Sequence, residues 1–379
     1  MVGFPNSVDY TIMKKIRWFA THPIQYQTPL MKELADKMPL DVAFFQLNGS
    51  IFQKKAGFDE THDWGVDLLE NLPHLSINST GNSTQRFFGL RANWISLWKA
   101  VDPSSVKGVI VNGWFPWCYI QVWLVCILRG VPFIVRGDST LQMDSTPVKR
   151  KIKAVLFPLL FRFPEAFAFV GERNRQFYRH FNVAEKRLFP AFHCVNSAYL
   201  QPNLGKKKGN RFGFIGKHIA IKNVPLILDL FSSKEMKDCE LFVAGDGPLS
   251  SQLKDKYCGF SNIHWMGFLK QTELTSFFDQ IDMLLLPSKS ETWGLVVNEA
   301  FHCGVPAIVS SNVGCGDDLI TPGVTGYVFE SENGQDLQKC ILDFKKSTAP
   351  FAGNVVEKVI EYSQNQVVAN IERFWKSRD

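Results

Sequence analysis

Two carboxylates eight residues apart mark the most informative stretch of this 379-residue chain. Glu291 and Glu299 lie within Leu284-Leu-Leu-Pro-Ser-Lys-Ser-Glu-Thr-Trp-Gly-Leu-Val-Val-Asn-Glu-Ala-Phe-His-Cys-Gly-Val-Pro306. This pattern predicts a buried strand, a polar loop and a short helix from about Gly294 to Cys303. Gly304 is placed to stop the helix, and Pro306 opens the next strand. The free N–H groups of Gly294, Leu295 and Val296 at the helix start form an anion site suited to a diphosphate. Glu299, about one turn further on, can accept two hydrogen bonds from a ribose diol. Glu291, in the loop, can reach the group attached to the far phosphate, and Trp293, between the two acids, is a candidate nucleotide-sugar-binding residue. Either acid alone would read as a solvated helix carboxylate or a loop charge. Bracketing one strand–loop–helix junction, they read as a binding site.

A second cluster is Phe212-Gly-Phe-Ile-Gly-Lys-His-Ile-Ala-Ile-Lys-Asn223. A strand ends at Gly216, and Lys217 and Lys222 follow five residues apart. Two cations at the carboxyl end of a strand can neutralise a departing diphosphate; taken alone, they would be two surface lysines. In the first half, His22 follows an apolar strand and is expected, with Gln25, to face a cleft from the acceptor side; the plainer reading is a loop histidine capping nearby backbone. Asp138 can accept a hydrogen bond from a substrate hydroxyl, or it can simply shape a loop turn. No Asp-x-Asp occurs in the chain, so a divalent-metal nucleotide site of that type is not expected.

These residues must be held by two domains. The length suits two domains of about 150–200 residues. Hydrophobic residues make up 45% and charged residues 21%, which excludes a disordered or collagen-like chain. Strands are predicted at 16–20, 41–46, 108–112, 131–135 and 166–170, with helices at 29–37 and 149–161 among them. Leu200-Gln-Pro-Asn-Leu-Gly-Lys-Lys-Lys-Gly-Asn210 reads as the linker. The pattern then restarts, with strands at 211–215, 240–244, 262–265, 282–286, 306–310 and 326–329. Strand–helix alternation implies two doubly wound, Rossmann-like α/β domains, 1–200 and 201–379, facing across a cleft. The final helix, within about 363–379, has an apolar face suited to packing on a domain surface, with the N-terminal domain as a candidate.

Charge is uneven. Residues 1–200 carry 23 Lys/Arg and 15 Asp/Glu (+8), and residues 201–379 carry 19 and 21 (−2). The first domain is therefore expected to face something anionic. Val148-Lys-Arg-Lys-Ile-Lys-Ala-Val-Leu-Phe-Pro-Leu-Leu-Phe161 is basic first and apolar afterwards. It reads either as an interfacial helix pressing on anionic lipid through Lys149–Phe161, or as a packed helix with a solvated basic end. The 32 phenylalanines fit a Phe-rich core or a chain near lipid. The most apolar run, Phe115–Leu128, is too short to span a bilayer. Eight scattered cysteines without a Cys-x-x-Cys pair suit a reducing compartment. Without a signal-peptide run at the start, the sequons at Asn48, Asn78 and Asn82 read as accidental. The expected location is cytoplasmic or peripheral at the inner membrane face, with no nucleic-acid partner.

Together these stretches resemble the family 4 (group 1) retaining glycosyltransferases of the GT-B fold. The similarity rests on Glu291-Thr-Trp-Gly-Leu-Val-Val-Asn-Glu299 and Gly304-Val-Pro306, with Val243-Ala-Gly-Asp-Gly-Pro248, Met266-Gly-Phe268, Gly314-Cys-Gly-Asp-Asp-Leu-Ile320 and Thr325-Gly-Tyr-Val-Phe329. It is strong over about 211–330. The first half resembles a subgroup more loosely, through Thr21-His-Pro-Ile-Gln-Tyr-Gln-Thr-Pro29, Trp64-Gly-Val-Asp-Leu-Leu-Glu70 and Arg136-Gly-Asp-Ser139.

The resemblance implies transfer of a sugar, with retention, from a nucleotide diphosphate-sugar to a hydroxyl of a glycan or lipid-linked acceptor in surface polysaccharide or glycoconjugate synthesis. Glu299 would hold the ribose, Glu291 the donor sugar, and Lys217, Lys222 and the Gly294–Val296 backbone the diphosphate, with Gly267-Phe268 flanking the base. No cofactor or metal is implied. Two departures stand out: Lys217 replaces the arginine common in the family, and Asp138 stands in the loop where many members have a histidine. A sugar-nucleotide epimerase of the same shape and a non-catalytic nucleotide-sugar binder are the alternatives.

Overall fold

The computed structural model describes residues 14–47, 67–81, 87–143, 147–205 and 209–378. The sequons at Asn48 and Asn82, residues Trp64–Val66 of the first-half motif and linker residues Lys206–Lys208 lie outside the described residues. So does the Lys149 side chain.

The first half builds β1 (Lys15–Ala20), α1 (Thr28–Lys37), β2 (Leu40–Phe44), β3 (His74–Ser76), β4 (Ser79–Thr80), β5 (Arg91–Ala92), α2 (Trp94–Ala100), β6 (Val106–Val111), α3 (Trp117–Arg129), β7 (Phe133–Val135), α4 (Pro147–Leu160), β8 (Ala166–Phe169), α5 (Glu172–His180) and β9 (Leu188–Pro190). Seven of these strands form a parallel sheet in the order β3-β2-β1-β6-β7-β8-β9, and β4 pairs antiparallel with β5. The second half builds β10 (Arg211–Ile215), α6 (Val224–Phe231), β11 (Glu240–Ala244), α7 (Ser250–Tyr257), β12 (Ile263–Gly267), α8 (Leu274–Gln280), β13 (Met283–Leu286), α9 (Leu295–His302), β14 (Ala307–Ser310), α10 (Gly316–Leu319), β15 (Gly326–Phe329), α11 (Gly334–Lys346), α12 (Phe351–Ile360) and α13 (Gln364–Lys376). Its parallel sheet runs β12-β11-β10-β13-β14-β15.

Strands of a parallel sheet are covered on both faces, so they read as unbroken apolar runs. This is why Met283-Leu-Leu-Leu286 and Ala166-Phe-Ala-Phe169 were legible as strands; both are fully buried. The strands β3 and β9 escaped that reading. Each has three residues at a sheet edge, and neither is fully buried. β9 also ends in Pro190, which cannot donate to a ladder.

Helices α2–α5 cover one face of the first sheet, around Leu97, Val122, Phe157 and Phe177. The other face is covered by α1 and by α13, the last helix of the chain, whose Val367, Val368, Ile371 and Trp375 join Trp18 and Leu34. Trp375 rests on β6 at Gly108, where a Cβ would lie 2.3 Å from the indole. Phe374 stacks on Phe189 at 4.7 Å, and Gln364 Nε2 donates to Glu33 Oε2 at 2.7 Å. The second sheet has its own core, which includes Phe212, Leu285, Phe301 and Val309. Among the described residues, no helix is long and apolar enough to cross a membrane. None of the eight cysteines forms a disulfide.

Candidate active site

A cavity of about 580 Å³ opens between the carboxyl ends of the two sheets, within the range of small-molecule sites. Much of its second-sheet wall comes from the loops after β10 and β13, adjacent strands where the order of that sheet reverses. That switch point is where a doubly wound sheet leaves a crevice. Gly216, Lys217 and Lys222 come from the first of these loops, and Glu291, Trp293, Gly294, Leu295, Val296 and Glu299 from the second loop and α9. Two glycines permit this geometry. Gly245, at φ 121°, lets the loop after β11 approach so closely that a Cβ would lie 1.9 Å from the Gly216 carbonyl oxygen. Gly294 caps α9 at φ 106°. The first helical bond then runs from Val297 N–H to Gly294 O at 2.9 Å. The N–H groups of Leu295 and Val296 therefore precede the ladder, at its positive end.

The charged groups are already arranged. Lys222 Nζ donates to Glu291 Oε2. The Glu291 backbone is fixed by its N–H to Asn312 O at 3.1 Å and its carbonyl to Gly314 N–H at 2.9 Å. Burial and the neighbouring Lys222 lower the Lys217 ammonium below its ordinary range, and Glu291 opposes them. Glu299 borders the cavity but is ringed by protein, and desolvation raises its carboxyl to about 7. Phe268 lines the cavity beside Leu269. Gly267 lies behind the wall, at φ 71°, its carbonyl accepting from Gly245 N–H at 2.7 Å. It shapes the loop and is not among the lining residues.

The first sheet contributes His22, Gln25, Tyr26 and Asp138. His22 pairs through Nδ1 with Thr21 Oγ1 at 3.0 Å, and burial lowers its pKa to about 4, so it is neutral near pH 7. Asp138 is exposed where it lines the cavity, and desolvation by the surrounding protein pushes its carboxyl above the ordinary range. Beside it, buried Arg136 donates to the carbonyls of Ala191 and Phe192 at 3.2 and 3.1 Å, tying the end of β7 to the segment after β9.

Comparison with known proteins bears on this site. Residues 197–366 match the family model "Glycosyl transferases group 1". This part of the chain belongs to that family. A 132-residue stretch is 28% identical to an uncharacterized glycosyltransferase of Methanocaldococcus jannaschii, covering 34% of this chain and 36% of that protein. A 274-residue stretch is 24% identical to a Campylobacter jejuni N,N'-diacetylbacillosaminyl-diphospho-undecaprenol alpha-1,3-N-acetylgalactosaminyltransferase, covering 65% of this chain and 69% of that enzyme. The chain thus spans about a third of the archaeal relative and about two thirds of the bacterial one. Anabaena HepE, solved in complex with UDP, superposes with a TM-score of 0.71 at 13% identity, over 96% of this chain and 100% of that one. The fold is the GT-B fold of glycosyltransferases.

The group 1 region docks onto the first domain beside the cavity. Arg173 at the start of α5 donates to Asp317 through Nε and Nη2 at 2.8 and 3.0 Å. The Glu172 N–H at the same helix end donates to the Asp318 carboxylate at 3.0 Å. Trp293, read from the sequence as a ligand residue, borders the cavity but is buried. Its Nε1 donates to Asn298 Oδ1 at 2.8 Å, and its ring fills the space left by Gly171, so it also buttresses the junction. Sequence reasoning missed Tyr26 and His193, which also line the cavity. Tyr26 sits within the motif quoted for the first half. His193, in Phe192-His-Cys194, carries no sequence signal of its own.

Proposed function

We propose that this protein is a retaining glycosyltransferase that moves a sugar from a nucleotide diphosphate-sugar to an acceptor hydroxyl. The observation that carries the reading is the joining of the Lys222–Glu291 pair, Glu299 and the α9 amino end in one cavity that faces Asp138 and His22. The family of residues 197–366 and the UDP named in the HepE complex support it.

In this reading the bond between the anomeric carbon and the diphosphate oxygen breaks, and its electron pair leaves with the diphosphate. Lys217, Lys222 and the α9 amide groups stabilise that charge, with no divalent cation assigned a part. Glu299 accepts hydrogen bonds from the ribose diol, Phe268 flanks the base, and Glu291 contacts the sugar. The acceptor oxygen bonds to the carbon on the face the diphosphate leaves, and its proton passes to the departing diphosphate. Asp138 and His22, with Gln25, orient the acceptor hydroxyl.

The acceptor class we favour is a glycan or lipid-linked sugar reached at an anionic membrane surface. Helices α2, α3 and α4 cover the same face of the first sheet. Their outer sides expose Ile95 (67%), Leu128 (71%) and Val155 (71%), with Trp94, Trp98 and Leu159. Exposed Arg91, Lys99, Arg150 and Lys151 lie on the same elements or beside them. An apolar face edged by cations fits the interface of an anionic bilayer.

The test is a thermal-shift screen with UDP, GDP, ADP and their sugar conjugates, with Glu299→Ala as control. A ligand at about 100 times its Kd should add about 2.7 kcal/mol of stability. A shift from one nucleotide class that disappears in the variant supports the donor site. No shift from any of them overturns it.

A further inference from the structure

The transferase reading leaves one buried polar side chain on the cavity wall without a task. His193 is 5% exposed and lines the cavity. Its Nδ1 is buried and has no hydrogen-bond partner among the described residues. The ring is fixed by two aromatic neighbours, one on each side of the cavity. Tyr26, from the first domain, meets it edge-on at 6.0 Å between centroids, and Trp293, from the second, meets it at 5.5 Å.

Its backbone is held by both domains as well. The His193 N–H donates to Val170 O, just past β8, at 3.0 Å. Its carbonyl accepts from Asn298 Nδ2, on α9, at 3.3 Å. Asn298 is itself held by the Trp293 indole N–H at 2.8 Å. The preceding carbonyls of Ala191 and Phe192 are gripped by Arg136. The position of this imidazole is therefore set by both domains, at the junction where donor and acceptor must meet.

Burial and the adjacent Arg136 cation keep the ring neutral. A neutral imidazole carries one N–H and one lone pair. A sugar hydroxyl both donates and accepts, so it can pair with either nitrogen. A buried polar atom without a partner is an unusual feature and points to a group that arrives with the ligand.

Resting on the transferase reading, we propose that His193 contacts the transferred sugar, its imidazole pairing with a sugar hydroxyl in the cavity. The nucleotide is held by Glu299, the lysines and the α9 amino end, so His193 discriminates nucleotide-sugar from bare nucleotide.

The experiment uses the full chain and His193→Phe, which keeps an aromatic ring and removes both polar atoms, beside His193→Gln, which keeps a polar end. Binding of UDP, UDP-glucose, GDP and GDP-mannose is measured by calorimetry, and slow release of nucleotide from each sugar conjugate in water is followed without acceptor. For the conjugate the wild type binds, His193→Phe should leave bare-nucleotide Kd within about twofold. It should weaken conjugate binding at least tenfold and slow nucleotide release at least tenfold, and His193→Gln should restore part of both. Equal conjugate binding and release in wild type and His193→Phe would overturn the proposal. Parallel loss of bare nucleotide and conjugate in both variants would also overturn it, since it marks a purely structural role. A wild type that binds none of the four would fail the transferase reading itself, and this proposal with it.

Discussion

Gly171 and Trp293 meet across the junction of the two domains: a methyl group on Gly171 would lie 2.2 Å from the indole Cζ3. Gly171 opens α5, whose Arg173 and Glu172 bond to Asp317 and Asp318. Trp293 stands between Glu291 and Glu299 in sequence and packs against His193. The fit of the domains and the placing of the site therefore share one contact. Gly171→Ala should push the indole away and displace the Glu291 loop relative to Asp138. A displacement near 1 Å costs about 100-fold in kcat/KM. Steady-state kinetics beside a melting curve checks this: a large kinetic loss with a small change in Tm is expected.

In the proposed donor site, Glu299 sets a pH dependence. Its carboxyl is raised to about 7 by burial, so the ligand-free site is largely protonated below that pH. A ribose diol donates to the carboxylate and favours its ionised form. Nucleotide-sugar binding should therefore strengthen as pH rises toward about 7 and level off above it, weakening by up to about tenfold per unit on the acid side. UDP-glucose is a suitable probe because it has no terminal phosphate titrating in this range. Calorimetry from pH 5 to 8 should show this slope in the wild type and lose it in Glu299→Gln. The same slope in both would assign the titration elsewhere.

Lys222 holds Glu291 and disfavours the charge on Lys217. Lys222→Ala should lower kcat by about 100- to 1,000-fold, the scale of losing one preorganised charge at a leaving group. It should also move the Lys217 ammonium back up toward its ordinary range. Lys222→Arg keeps the charge and should recover part of the rate. Single-turnover kinetics separates this effect from donor binding.

The outer face of α2–α4 predicts vesicle binding. Val155→Ser with Leu159→Ser removes two exposed apolar side chains and should weaken partitioning to phosphatidylglycerol-containing vesicles about 100-fold. Added salt should weaken the wild type through the basic residues. Co-sedimentation checks both, and equal binding by wild type and double variant would leave this face without a lipid role.

What the sequence determined is local. Apolar runs gave the central strands of both sheets, because a strand covered on both faces must be apolar throughout. The Glu291–Glu299 spacing and Gly294 located the strand–loop–helix site, because helix starts and glycine conformations are set by neighbours in the chain. What only the tertiary structure decided is which distant groups converge. Lys222 and Glu291 are 69 positions apart, yet they pair. The last helix, with 268 positions between Lys107 and Trp375, closes the first sheet. His193 carries no spacing signal, and its place on the cavity wall follows from contacts with Tyr26 and Trp293, which come from different domains. Such contacts depend on how two folded units dock, and local sequence periodicity does not encode that.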